Sequence, residues 1–169
     1  SGEVGGDVDF GTAGADILQI NSAKLFGDTA FHGISSNISL IGGEMTGALS
    51  LGSGSSTLSF TAGSTYNGAI TGTGTKTLLV DNSTVNNSAT GTLSLSSMNL
   101  ANNAKLGFVI DNARIASGLP IFNVSGTADI AANTLFTPIF KEFTDTDFTL
   151  RVLNAGTLNL GGPVASMLS

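Results

Sequence analysis

The 169-residue sequence contains no cysteine and no tryptophan, and its single histidine is His32. Without cysteine no disulfide can staple the chain, so its rigidity has to come from packing. One histidine is too few for a histidine-based metal cluster or for a Ser-His-Asp triad. We therefore interpret His32 as a surface or corner residue, and we predict no catalytic residue, no metal site and no cofactor.

Charged residues are also scarce, at 11% of the chain, and the formal net charge is −6. Six lysines and arginines scattered along the sequence cannot form the basic surface that nucleic acids require. A negative surface is repelled by anionic lipid, and no uninterrupted apolar run is long enough to cross a bilayer as a helix. These features argue against a nucleic-acid partner and against direct membrane insertion.

What the sequence has in abundance is glycine, with 23 residues, together with short apolar segments that recur about every twenty residues. No helical periodicity separates these segments. Short β segments at this period are typical of a solenoid, in which each turn buries its apolar face against the next. About eight such turns would fit in the chain. The first apolar residues of the segments follow one another at steps of 21, 20, 20 and 15: Ile17, Ile38, Leu58, Leu78 and Leu93.

A second column lies between these segments and consists of glycine and asparagine. These two residue types adopt positive φ angles at the lowest cost. The column therefore predicts a corner that recurs in every turn, formed by Gly27, Gly47, Gly68 and Asn87.

The composition changes after residue 110, which predicts regular turns over 1–110, an aromatic-rich cap over 111–160 and a tail over 161–169. Within the cap, Asp111–Pro120 reads as a loop closed by Gly118 and Pro120. Strands are predicted to follow at 121–125, 126–130, 134–140 and 147–153.

A cap is needed because the end of a solenoid exposes unpaired strand edges and an open apolar core. A charged hairpin over 141–147 with bulky aromatic residues beneath it would cover that end. The phenylalanines expected to contribute are Phe122, Phe136, Phe140, Phe143 and Phe148.

An enzyme on such a scaffold needs several acidic or basic side chains at one position of the repeat. Asp145 and Asp147 are spaced to point the same way on a strand, but a solvated hairpin tip is the better interpretation. We therefore predict that the protein is not an enzyme. The charges of the regular turns between residues 39 and 109 share no position in the repeat: Glu44, Lys76, Asp81 and Lys105.

Three kinds of short motif are better explained by a structural role than by a functional site. Gly11–Leu18 resembles one unit of a Ca²⁺-binding nonapeptide repeat, but the ion sits between two stacked copies, so a glycine corner is favoured. The alternating run Thr71–Thr77 predicts an exposed strand with its hydroxyls on one face. Stacked or turn-forming asparagines explain the matches to glycosylation acceptors, which begin at Asn37, Asn82, Asn86 and Asn123.

The C-terminal part resembles the end of an autotransporter passenger domain. The motifs that carry the resemblance are Leu106–Ile110, Val124–Ala128, the Phe148–Gly156 strand that ends in Ala-Gly, and Leu158–Leu160. The coil of residues 16–110, with its Asp-Ile-Leu and Gly-x-Gly-Thr-x-x-Leu elements, is similar to the stems of the same family.

The resemblance implies an all-β fold, a right-handed parallel β-helix with a C-terminal β cap, at the surface of a Gram-negative bacterium. Its C-terminal turns would be an autochaperone region that folds first after secretion and templates the rest. The partner would be the outer-membrane β-barrel translocator of the same polypeptide, toward which the tail over 161–169 would lead.

Two hypotheses about function follow. In the first, the chain is the structural stem of a surface passenger, and its C-terminal turns nucleate and cap the β-helix. In the second, columns of threonine, serine and asparagine form an adhesive or self-associating face that binds other cells, host-surface proteins or glycans. Both place the protein outside the cell.

Overall fold

The computed structural model describes residues 2–12, 14–142 and 147–162. In this part the chain winds into a β-solenoid whose strands pair in parallel with the strand one turn later. A regular turn consists of three strands joined by tight corners, so three sheets run along the rod. The predicted all-β parallel solenoid is therefore confirmed, whereas its right-handed sense remains a prediction.

The three sheets differ in length within the described residues. The first has seven strands: β1 (Glu3–Gly5), β4 (Lys24–Phe26), β7 (Glu44–Thr46), β10 (Thr65–Gly68), β13 (Thr84–Asn87), β16 (Lys105–Ile110) and β18 (Leu135–Phe140). The second has four: β2 (Val8–Phe10), β5 (Thr29–Phe31), β8 (Leu49–Leu51) and β11 (Ile70–Thr71). The third has eight: β3 (Ala15–Asn21), β6 (Ser35–Ile41), β9 (Ser55–Thr61), β12 (Lys76–Asp81), β14 (Leu93–Leu95), β15 (Ser97–Ala101), β17 (Phe122–Ile130) and β19 (Leu153–Leu160).

The core is a set of apolar columns that run from turn to turn. Ile38 pairs with Leu58 and Leu58 with Leu78, as predicted, and all three side chains are at most 1% exposed. Alternate residues of a strand point to opposite faces, so the neighbours of these residues carry the polar side chains that face outward. Complete burial of each such side chain contributes about 1.5–3 kcal/mol.

The prediction was wrong for two residues of the column, Ile17 and Leu93. Ile17 pairs with Asn37 and is 68% exposed, whereas Leu18 stands on Ile38. Two adjacent apolar residues leave the inward position ambiguous by one residue, and such a slip exchanges the two faces of a strand. At the other end, Leu93 pairs with Phe122, and the residue that stacks on Leu78 is Met98.

The predicted glycine corner is present in two turns. Gly27 and Gly47 have φ angles of 142° and 136°, and a Cβ at either would overlap a backbone carbonyl of the preceding turn. Only glycine fits there. Gly68 and Asn87 lie within β10 and β13 instead, so for them the predicted corner is wrong.

A second corner column, which no recurring residue type marks in the sequence, recurs every 20 residues after the strands of the third sheet. Its members adopt the left-handed conformation with φ angles between 46° and 61°: Ser22, Gly42, Ala62, Asn82 and Asn102.

The turns lengthen toward the C-terminus. Register partners in the third sheet are 20 residues apart as far as Leu100, but Leu100 pairs with Ile130 and Ile130 with Leu160. Because the last two steps are 30 residues, the described chain makes seven layers and not the eight uniform turns that we expected.

The extra length after residue 110 includes a short helix, α1 (Asn112–Ser117), where a loop was predicted. The side chain of Asp111 caps its N-terminus by accepting the N–H of Arg114 at 2.8 Å, and Gly118 ends it with a φ of 62°. An aspartate cap and a left-handed glycine are common helix boundaries.

Other C-terminal predictions also change. The segments 121–125 and 126–130 form a single strand, β17, and the segment 147–153 is not a strand, because β19 begins at Leu153. Residues 143–146 of the predicted hairpin lie outside the described part of the chain. The division of the chain at residues 110 and 160 remains a prediction.

Candidate functional site

The most thoroughly buried strand is β16. Five consecutive residues, Leu106 to Ile110, are buried, whereas a strand with one solvated face buries every second residue. Both faces of β16 are therefore covered. Val109, for example, is 3% exposed although it points away from the side occupied by Phe108.

An aromatic cluster joins β16, β17 and β18. The rings of Phe108 and Phe122 meet edge to face with centroids 5.8 Å apart, and those of Phe122 and Phe136 lie 6.5 Å apart. Such pairs contribute about 0.5–1.5 kcal/mol beyond the area they bury. Of the phenylalanines predicted to cover the end, Phe140 and Phe148 pair at 6.4 Å but remain 45% and 38% exposed, and Phe143 lies outside the described residues.

In the first sheet, the C-terminal ladder is the longest among the described strands. Strand β18 pairs with β16 at six positions, whereas β1 pairs with β4 at three. In the third sheet, β19 pairs with β17 at seven positions, as many as β3 with β6 and β6 with β9. A longer parallel ladder fixes the register of the strand that joins it more firmly.

A cleft opens beside these turns where the second sheet stops. Strand β11 is the last strand of this sheet in the described chain, and residues 88–92 form no strand above it. The space left has a volume of about 640 Å³, within the range of roughly 300–1,000 Å³ that ligand-binding clefts occupy. Its walls are Ala69–Thr73, Lys76 and Ser88–Ser94.

Among the described residues that line this cleft, Lys76 alone is charged, and it is only 2% exposed. Its Nζ donates hydrogen bonds to the carbonyl oxygens of Gly72, at 2.6 Å, and Gly74, at 2.9 Å. No carboxylate of the described residues forms an ion pair with it. Burial lowers the pKa of Lys76, because the charged ammonium is less well solvated there than in water.

Arg114 lies behind the wall that residues 88–92 form, and it is 4% exposed. Its Nη2 donates to the carbonyl oxygens of Gly91, at 2.6 Å, and Ala89, at 3.4 Å, whereas its Nε has no hydrogen-bond partner. Burial lowers the pKa of Arg114, and the nearby carboxylate of Asp111 opposes that shift. The arginine thereby holds the loop in place from a second, smaller cavity of about 220 Å³.

The structure does not bring together the charges singled out in the sequence. Glu44 pairs with Lys24 on the surface at 2.9 Å, Asp81 accepts a hydrogen bond from Asn102, and Lys105 is exposed. His32 lies exposed at the corner after β5, where its Nε2 is 3.0 Å from the carboxylate of Asp9.

The remaining candidate motifs form no site. The Gly11–Leu18 segment includes Asp16, but no three acidic or histidine side chains of the described residues gather where they could hold a metal ion. Asp147 is exposed, and Asp145 lies outside the described residues. The run Thr71–Thr77 does not form one strand, because the chain turns a corner at 72–75 between β11 and β12.

Three of the four asparagines of the glycosylation motifs, Asn82, Asn86 and Asn123, have the predicted structural roles. Asn82 occupies a left-handed corner. Asn86 donates to Asn67 in the turn before it, and Asn154 donates to Asn123, both at 2.8 Å.

Comparison with known proteins gives no family, since no family model, no curated protein and no solved structure matches the chain. Among the described residues there is also no helix long and apolar enough to cross a membrane.

Proposed function

We propose that this chain is the structural stem of a passenger domain at the surface of a Gram-negative bacterium, and that its C-terminal turns nucleate and cap the solenoid after secretion. The partner would be the outer-membrane β-barrel of the same polypeptide, and the chain would have no enzymatic activity. The resemblance of the C-terminal motifs to autotransporter passengers motivates the location and the partner.

The observation that supports the nucleating role is the contrast in packing along the rod. Strand β16 is buried on both faces and lies against the cluster of Phe108, Phe122 and Phe136. At the other end, β1 is exposed along its whole length, and Val4 is 57% exposed. The turns that hold β16 and this cluster therefore bury more apolar surface than the first turn at the N-terminal end, although β19 itself is largely exposed. That burial offsets part of the conformational entropy lost on ordering.

A mechanism follows from the parallel pairing. Each regular turn must close a loop of about twenty residues before its hydrogen bonds form, which makes the first pairing of a parallel sheet slow. Once β16 and β17 are ordered, their free edges offer a register to the strand that comes before them in the chain. Each further turn then adds onto an existing edge and no longer has to find its partner.

Folding kinetics of two matched variants test this mechanism. Phe122→Ala and Phe31→Ala each remove a ring that is at most 1% exposed and packed against another ring. Phe122 lies in the C-terminal turns, and Phe31 lies near the N-terminus. Each should cost about 3–5 kcal/mol of stability. In Phe122→Ala we expect most of the lost stability to appear as a higher barrier to refolding, and therefore as slower refolding. In Phe31→Ala we expect it to appear mainly as faster unfolding.

Stopped-flow refolding and unfolding, followed by fluorescence of the single tyrosine or by circular dichroism, would measure both rates. Refolding that is slowed by Phe31→Ala and unaffected by Phe122→Ala would overturn the nucleating role. Antibody labelling of intact cells would test the surface location separately, and labelling that appears only after the cells are broken would contradict it.

The alternative function, an adhesive or self-associating face, is favoured by one column on the outer side of the third sheet. Its hydroxyl and amide side chains lie in register over four turns: Asn37, Thr57, Thr77 and Ser97. Sedimentation at increasing protein concentration and a glycan screen would test it. If the protein stays monomeric and binds no glycan, the adhesive function is excluded and the structural-stem function remains.

A further inference from the structure

We propose that the cleft between β11 and residues 88–94 binds an acidic saccharide, whose anionic group is held by Lys76. This inference does not depend on the role of the chain as a stem. It rests on an uncompensated buried charge, on the lining of the cleft and on a wall that is fixed in position.

The charge is the first argument. An ammonium group has three N–H donors, and the described residues satisfy two of those of Lys76 with the carbonyl oxygens of Gly72 and Gly74. Carbonyl dipoles do not neutralise the charge, and a buried cation without a counter-ion is costly. An anion that enters the cleft would supply the third acceptor and the missing negative charge.

The lining selects the class of anion. Hydroxyl groups that could hydrogen-bond to sugar hydroxyls are interspersed with the partly exposed side chains of Ala69 and Ala89, against which the C–H face of a sugar ring could pack. No aromatic side chain of the described residues lines the cleft, so a nucleotide base would have no stacking partner. The hydroxyls belong to Thr71, Thr73, Ser88, Thr90, Thr92 and Ser94.

The wall is held by a positioning residue. Residues 88–92 form no strand, but Arg114 anchors them through the carbonyl oxygens of Ala89 and Gly91. Thr92 is fixed in addition by a hydrogen bond of 2.7 Å from its hydroxyl to the carbonyl oxygen of Pro120. The far side of the cleft thus has a defined shape before any ligand arrives, which reduces the entropy lost on binding.

A nuclear magnetic resonance titration tests the proposal. The probes are trigalacturonic acid, its uncharged methyl ester, and N-acetylglucosamine 6-sulfate, which presents a sulfate in place of a carboxylate. We expect at least one acidic probe to shift the backbone amides of residues 69–73 and 88–94 at concentrations at least tenfold below those that the methyl ester requires. Which acid binds identifies the anionic group that the cleft accepts.

Two pairs of variants locate the site. Thr73→Glu places a carboxylate at the exposed mouth of the cleft, and Thr57→Glu makes the same charge change on the outer face of β9. Lys76→Met removes the proposed ligand-binding charge, and Lys105→Met removes an exposed lysine of β16. We expect Thr73→Glu and Lys76→Met each to weaken binding about tenfold or more, and the two controls to remain within about twofold of the unmodified chain.

Thr73→Glu keeps the test decisive if Lys76→Met fails to fold, because Thr73 is exposed and its replacement disturbs no core contact. The proposal is overturned if the methyl ester binds as tightly as the acid, or if no probe shifts these amides. It is also overturned if Thr73→Glu and Thr57→Glu weaken binding equally, since that would mean that only the net charge of the rod matters.

Discussion

The regular turns, residues 15–101, and the C-terminal turns, residues 105–160, solve the same packing problem in different ways. In the regular turns a 20-residue period repeats, and strands of the first two sheets have only two to four residues. In the C-terminal turns the strands have six to nine residues, the period rises to 30, and a helix is inserted. Repetition sets the register of the rod, whereas the departures from it create dense packing and a cleft.

The cleft itself is a product of this difference. The regular turns have three sheets, but the second sheet ends at β11, so the C-terminal turns have two sheets and the α1 insertion. Lys76 lies in the last turn that has all three sheets, and Arg114 lies in the helix. The two buried cations therefore flank the junction between the two regions.

The largest effect that should separate the regions comes from two glycines. Gly47, in a regular corner, has a φ of 136°, and a Cβ there would overlap the carbonyl oxygen of Gly27. Gly118, at the end of α1, has a φ of 62° and open space around it. We expect Gly47→Ala to lose about 3 kcal/mol or more of stability and Gly118→Ala about 1 kcal/mol.

Urea unfolding of both variants, followed by circular dichroism, would measure these losses. Similar losses for the two variants would mean that the regular corners tolerate a side chain as well as the end of α1 does. The proposed difference between the two regions would then be wrong.

An intermediate effect is expected at Tyr66, in the regular turns. Its single O–H is shared between the carbonyl oxygens of Gly47 and Ala69, each 3.1 Å from the phenol oxygen, and the residue is fully buried. Tyr66→Phe leaves both acceptors without this donor and should cost about 1–2 kcal/mol. The ring should stay in place, because its shape is unchanged.

The buried phenol of Tyr66 should also make the unfolding free energy depend on pH. Burial raises the pKa of Tyr66 above its ordinary value of 10, so the neutral phenol is favoured in the folded chain. Its contribution to stability is complete below about pH 10 and is lost as the pH rises further, because the unfolded chain releases the proton first. Unfolding free energies measured between pH 8 and pH 11 should therefore converge for the wild type and Tyr66→Phe. A constant difference between them would contradict the shift.

The smallest effect is expected from the surface ion pair of Lys24 and Glu44, whose side chains are 52% and 34% exposed. Lys24→Gln should leave the thermal midpoint unchanged within experimental error, because exposed ion pairs contribute little and salt screens them. The hydrogen bond and charge of Glu44 raise the pKa of Lys24 without making it a structural residue. A clear loss that persists in high salt would show that the regular turns depend on surface charge more than their packing indicates.

The fold was predictable from the sequence because the inward positions repeat. Ile38, Leu58 and Leu78 recur at one spacing, and only stacking explains why one residue type returns so regularly. The left-handed corner of Ser22, Gly42 and their equivalents was hidden, because the column keeps a backbone conformation and not a residue type. Its position after each long strand was the signal that could have revealed it.

The cleft was much less predictable. The sequence shows Lys76 as one of several scattered charges, and its burial depends on the corner at 72–75 and on a loop that comes a dozen residues later. The helix did carry signals in Asp111 and Gly118, but six residues are too few to show an amphipathic period. Leu93 misled because two strands, β14 and β15, pair with β17 in this layer. Leu93 lies in β14 opposite Phe122, whereas the column of Leu78 continues through Met98 in β15.

The left-handed corner at Ser22, Gly42, Ala62, Asn82 and Asn102 has a consequence for how such a rod changes length. A duplicated stretch that runs from one of these corners to the next would enter as a complete new layer, with every buried column continued and every bend in place. An insertion of an odd number of residues within a strand would instead turn its apolar side chains toward water, whereas extra residues between strands are tolerated, as the 30-residue turns show. Growth and shortening of this molecule by whole layers, through tandem duplication or deletion of sixty-nucleotide units, is therefore a route that keeps every buried column in place.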